Sequence, residues 1–182
     1  MKSLLVIFVL FASLSMTARS EMNDFSIGAS ANYYLDTLGI GLHTGVGFSV
    51  NPKMKIGVET GIHRFAKKRF KSAYNAEAAT TNLLIPALLY ARYYIQNTES
   101  KKLYLGGSVG AVYLTDSSTL TLSGATDFTD QSSAVLFAFF AKAGVENMLS
   151  PGSSTYWYVE PNVGFVRDTL TILVTGGLRF PF

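Results

Sequence analysis

The stretch Leu38-Gly39-Ile40-Gly41-Leu42-His43-Thr44-Gly45-Val46-Gly47-Phe48-Ser49-Val50 sorts its residues at every second position. Leu38, Ile40, Leu42, Thr44, Val46, Phe48 and Val50 share one face, and the glycines, His43 and Ser49 share the other. A period of two marks a β-strand between unlike surroundings, because successive side chains point to opposite sides. Glycines spaced strictly every second residue within a strand do not build a phosphate-binding loop. They are structural.

The same pattern recurs in Phe25–Tyr33, Met54–Ile62, Leu83–Ile95, Leu103–Tyr113, Val135–Val145, Trp157–Phe165 and Leu170–Phe182, giving eight segments. Most are longer than the usual globular strand and match what a tilted strand needs to cross a bilayer. Their connections alternate in length. Asn51-Pro52-Lys53, Gln96 to Lys102 and Ser150 to Ser154 are compact and rich in turn formers. Arg64 to Asn82 and Thr115 to Ala134 are long and polar, with Thr119 to Leu122 expected to extend its strand above the membrane, and the links at Asp36 and Arg167-Asp168 are short. Membrane barrels keep short turns on the periplasmic side and longer loops outside. Both termini in the periplasm satisfy that rule. The expected fold is all-β: an eight-stranded antiparallel up-and-down transmembrane β-barrel.

Composition agrees. Apolar residues make up 48% of the 182 and charged residues only 15%, yet no interior stretch offers the roughly 20 apolar residues of a membrane helix. Every charge within a strand (Lys55, Glu59, Arg92, Lys142, Glu146, Glu160, Arg179) falls on the face opposite the aliphatic one. That opposite face also carries twelve of the 16 glycines, interleaved with Tyr90, Tyr104, Phe140 and Tyr158. An eight-stranded barrel has just enough room inside for side chains, so this face is expected to look inward and the aliphatic face to meet lipid. Outward aromatics gather near strand ends: Phe25, Phe48, Tyr93, Trp157, Phe180 and Phe182 at one rim, and Tyr33, Tyr113, Phe137 and Phe165 at the other.

The N-terminus reads as a secretory signal over residues 1–20. Lys2 precedes an apolar run from Leu4 to Leu14, and Ala18-Arg19-Ser20 supplies small residues for a cut before Glu21. Residues 21–182 then form the barrel domain. With Lys2 and Arg19 removed, 13 of the 15 basic residues face 12 acidic ones. So neutral a mature chain gives no reason to expect nucleic acid as a partner. Without cysteine there is no disulfide frame and no thiolate metal site.

The final eight residues, Thr175-Gly176-Gly177-Leu178-Arg179-Phe180-Pro181-Phe182, carry a polar residue, a glycine two later, and aromatics at the last and third-from-last positions. Together with Leu84-Ile85-Pro86-Ala87-Leu88-Leu89-Tyr90 and Arg92-Tyr93-Tyr94, the chain resembles the small eight-stranded outer-membrane β-barrel family of OmpA-type membrane domains and OmpX-type proteins. The resemblance covers about Phe25 to Phe182 and is one of pattern. It implies the bacterial outer membrane as location. It implies that the barrel-assembly machinery recognises the last strand through Thr175, Gly177, Phe180 and Phe182. Pro181 departs mildly from the pattern, since it removes a ladder donor.

No enzyme motif is evident. A lipid-modifying barrel enzyme would need a serine, a histidine and an acid together. His43 and His63 both fall on the inward face, and Ser72 lies in the loop beyond His63. Scattered histidines and carboxylates lack metal-ligand spacing, and no cofactor is expected. Counted from the strand ends, Glu59, Arg92, Glu146 and Glu160 lie at similar depth, Arg179 slightly lower and Lys142 higher. Charges of both signs in a narrow interior are expected to pair, because an isolated buried charge is costly. The expected outcome is an ion-pair plug, and the alternative is a narrow porin-like channel constricted by the same residues. Lys67, Lys68, Arg69 and Lys71 form the one local basic cluster, suited to lipopolysaccharide phosphates or an anionic surface, or else simply solvated. The expected role is structural or surface-interacting, as a monomer surrounded by outer-membrane lipids.

Overall fold

The computed structural model describes residues 24–65, 68–71, 76–122 and 128–182. The expected signal segment, Lys67 and Ser72 lie outside the described residues. Nine strands follow one another: β1 (Asp24–Tyr34), β2 (Thr37–Asn51), β3 (Met54–Phe65), β4 (Lys68–Lys71), β5 (Ala76–Asn97), β6 (Lys101–Leu122), β7 (Phe128–Met148), β8 (Tyr156–Val166) and β9 (Thr169–Pro181). All pairings are antiparallel. Each strand of the ring β1-β2-β3-β5-β6-β7-β8-β9 pairs with its sequence neighbours, and β9 returns to β1. Eight strands close the barrel, and each corresponds to one expected segment.

Short links at the rim opposite the termini follow from backbone geometry. Leu35 and Asp36 both have left-handed φ (48° and 58°), the conformation of a type I′ hairpin turn, and Tyr34 pairs directly with Thr37 across it. Tyr33 Oη donates to Asp36 Oδ1 at 2.8 Å, which pins the turn.

The long polar connections are less loop-like than expected. β5 and β6 remain paired out to Ala76↔Leu122, and β6 and β7 out to Leu120↔Phe128. The short β4 pairs with β5 from Lys68↔Thr80 to Lys71↔Glu77, beyond the point where β3 has ended. Meanwhile β8 pairs with β7 only from Ala138 onward. A four-stranded flange therefore stands beyond the barrel. The expected extension at Thr119 to Leu122 belongs to it; the rest of it carries little alternation.

A row drawn across the strands runs Lys55, Arg92, Gly106, Lys142, Asn162, Leu173, Asn32, Gly39 and back to β3 at Phe65, ten residues past its start. Such a stagger over eight strands tilts them by about 40° to the barrel axis. Residues at equal height thus shift by just over one position per strand relative to the row. With that shift applied, Phe25, Phe48, Tyr93, Trp157 and Phe180 fall at one level. Tyr33, Tyr113, Phe137 and Phe165 fall at another, about 20 Å away along the axis.

Between these belts the outer wall is apolar and bare to its surroundings. Ile40 is 76% exposed and Leu42 65%, and Ile27, Leu89, Val163 and Ile172 are exposed with them. A continuous apolar girdle of this extent far exceeds the patches that soluble monomers tolerate. The physical solvent for this surface is lipid.

Candidate functional site

The interior is the part of the molecule where side chains converge. It has two zones, set by what the alternate positions of each strand supply. Toward the termini it is ionic. Toward the flange it mixes an apolar cluster of Tyr34, Phe65, Leu84, Leu88, Val112, Leu114, Phe140 and Val166 with the buried polar side chains of Asn32, His63 and Thr171.

The ionic zone is built in tiers. Level with the belt near the termini, Arg179 pairs with Glu146, and Lys55 pairs with Asp24. Tyr94 Oη also donates to Glu146 Oε1 at 3.0 Å. Just above, Arg92 grips Glu160 Oε2 through Nε (2.9 Å) and Nη2 (2.8 Å), and Tyr104 Oη donates to the same oxygen at 2.7 Å. Higher again, Lys142 bridges Glu59 and Glu160, the latter at 3.2 Å from Nζ to Oε1. His43 closes the stack, with Nε2 3.5 Å from Glu59 Oε2 and Nδ1 3.4 Å from Tyr158 Oη. Both arginines are 1% exposed and lie over tyrosine rings, Arg92 4.1 Å from the centre of Tyr90 and Arg179 4.7 Å from that of Tyr158.

Four carboxylates (Asp24, Glu59, Glu146, Glu160) thus meet four cations (Lys55, Arg92, Lys142, Arg179). The depth order differs from the one counted along strand ends. Lys142 stands level with Glu59, whereas Glu146 drops to the level of Arg179. The physical reason is stagger: a count from each strand's own end ignores the climb of the rows around the barrel.

Small residues make room for these groups. Tyr104 lies opposite Gly144, and Tyr90 opposite Gly57. A Cβ on Gly57 would sit 2.6 Å from Tyr90 Oη, and one on Gly144 would run into the Tyr104 ring.

Alternation alone places Lys55, Glu59, Arg92, Lys142, Glu146, Glu160 and Arg179 on the inward face, and all seven lie in this network. The pairing of Asp24 with Lys55 and the hydroxyls of Tyr94 and Tyr104 are not visible in the sequence, because they depend on which strands become neighbours in space. His63 sits apart, nearer the flange. Its Nδ1 lies 3.0 Å from Ser30 Oγ and 2.9 Å from Asn32 Nδ2. Among the described residues neither histidine meets both a serine and a carboxylate. Among the described residues no group of three or more His, Cys, Asp or Glu could hold a metal ion.

At the C-terminal strand Thr175 and Gly177 face inward, while Phe180 stacks on Phe25 with ring centres 6.4 Å apart and Phe182 is exposed. Lys68, Arg69 and Lys71 lie on β4 in the flange.

No protein-family model matches this chain, and no curated protein matches its sequence. Solved structures do. The attachment invasion locus protein Ail of Yersinia pestis is 14% identical and aligns over 88% of this chain and 99% of its own, with a TM-score of 0.50. Its complex with the heparin analogue sucrose octasulfate gives the same values. Neisserial surface protein A aligns over 87% of this chain and 95% of its own at 14% identity, with a TM-score of 0.49. Strand count, closure, belts and the likeness to Ail agree: the chain has the closed eight-stranded fold of small outer-membrane β-barrels.

Proposed function

We propose that the protein is an integral outer-membrane barrel with a structural and surface-interacting role, its lumen closed by the ion-pair network. The observation that carries this reading is the charge-balanced stack from Arg179–Glu146 up to Lys142–Glu59, roofed by the apolar cluster around Phe140 and Leu88. An ion crossing the lumen would have to displace paired charges and pass the apolar cluster. Both termini face the periplasm in this reading, so the flange projects outward. There it presents β4, with Lys68, Arg69 and Lys71, to lipopolysaccharide phosphates or an anionic partner surface. The last strand serves the barrel-assembly machinery through Thr175, Gly177, Phe180 and Phe182. The barrel is a monomer, and no residue set argues for catalysis.

The test is single-channel recording on detergent-refolded protein that shows a heat-modifiable band on electrophoresis. The expected result is a folded band that gives no steady conductance in planar bilayers. Steady conductance would replace this reading with that of a narrow channel constricted at Glu59, Arg92 and Lys142. A chain soluble without detergent and lacking any heat-modifiable form would sink the membrane assignment.

A further inference from the structure

The aromatic belt nearest the termini is interrupted at β3 and, more widely, across β6 and β7. At its level β1, β2, β5, β8 and β9 present Phe25, Phe48, Tyr93, Trp157 and Phe180, β3 presents Met54 and Ile56, and the wider gap lies at β6 and β7, which present Leu103 and Val145. One outward step nearer the rim, these two strands carry Lys101 and Asn147, which are paired side by side, and Asn147 pairs in turn with Trp157. The rings flanking the gap, Tyr93 and Trp157, bear hydrogen-bond donors, while the other rings of this belt are phenylalanines. Lys101 is exposed, and its ammonium has no carboxylate partner among the described residues. A groove opens beside it between the β5–β6 and β7–β8 turns, lined by Thr98, Glu99, Ser100, Asn147, Met148, Pro151 and Gly152. The neighbouring Lys102 turns the other way, its Nζ 4.0 Å from the centre of the Tyr156 ring.

We propose that this sector is a binding site for the phosphate headgroup of an anionic phospholipid in the leaflet that bathes the terminal rim. A cation at headgroup height draws the phosphodiester. Amide and indole N–H groups beside it supply donors to phosphate and ester oxygens, and Leu103 and Val145 leave a smooth apolar track for the acyl chains. Glu99, exposed in the same turn, is the one opposing charge and sets a ceiling on the preference. The inference rests on the membrane-spanning reading above.

Trp157 is the chain's single tryptophan and stands inside the site, so its fluorescence reports occupancy directly. The barrel is refolded into phosphatidylcholine vesicles containing either brominated phosphatidylglycerol or brominated phosphatidylcholine. The relative association of the two lipids is then read from quenching of Trp157. The expected result is a preference for phosphatidylglycerol of about threefold to fivefold. It should fall to near one in Lys101→Gln, persist in Lys101→Arg, rise in Glu99→Gln and stay unchanged in Lys53→Gln. Equal quenching by both lipids in the wild type would overturn the proposal, as would a preference that survives in Lys101→Gln. Loss of the preference in excess inorganic phosphate would replace the lipid with a free anion. Absence of quenching by either lipid would instead remove the membrane-spanning reading, and this inference with it.

Discussion

Arg179 and Glu146 form the simplest of the buried pairs, because Glu146 otherwise receives only the hydroxyl of Tyr94. Both side chains are about 1% exposed, so water cannot replace a lost partner. Arg179→Met leaves a buried carboxylate behind and is expected to cost on the order of 3–5 kcal/mol. The double replacement Arg179→Met with Glu146→Met removes both desolvation penalties and is expected to cost less than the single change. Urea unfolding in lipid vesicles reads both values. If the double variant proves the least stable, the pair is a net source of stability and not chiefly a filler of the lumen. Arg179 also belongs to the terminal segment that resembles an assembly signal, so refolding from urea separates stability from assembly.

Individual strands are specified by a division of labour between their faces, and the outer face is governed by depth. Leu89 on β5 is half exposed and lies midway between the two aromatic belts. Leu89→Arg is expected to cost about 2–4 kcal/mol, and the same charge at Tyr93, in the belt, about 0–1 kcal/mol. Equal costs at the two sites would mean that the apolar wall does not face hydrocarbon. Two strands also carry proline in mid-strand, Pro86 on β5 and Pro161 on β8. The β3–β5 ladder lacks the Gly61–Pro86 and Ile62–Ile85 pairs, and the β7–β8 ladder lacks those at Pro161–Ala143 and Glu160–Gly144. Proline has no N–H to donate, so each ladder breaks beside it. At the first break Thr60 Oγ1 donates to Pro86 O at 2.6 Å and keeps that carbonyl satisfied. The second break lies next to Glu160, where the backbone gives way to the ionic stack.

Taken as one body, the molecule holds its lumen with two barriers of different kind. The ionic tiers occupy the half near the termini and the apolar cluster the half near the flange. Arg92→Ala opens only the first, so the variant is expected to remain without steady conductance even though it loses stability. A steady current in Arg92→Ala with none in the wild type would mean that the apolar layer does not seal, leaving the ion pairs as the whole plug. The two zones also explain why the charges cancel. A low-dielectric interior does not tolerate an excess of either sign, and four carboxylates against four cations leave none.

The sequence by itself determined the eight spanning strands, which face of each looks inward, and which charges would be buried, because alternation is a local property of a chain between lipid and a narrow lumen. Leu38 to Val50 already contains that information. It could not determine partners across the barrel. Whether Arg92 meets Glu160 or Glu146 depends on a stagger of ten residues around the ring, to which every strand pairing contributes and which no single strand records. The flange was legible only at Thr119 to Leu122, which alternates; the continuing backbone ladder reveals the rest. The gap in the aromatic belt where Lys101 and Asn147 sit is likewise a fact of height, legible only once the strands are tilted and closed.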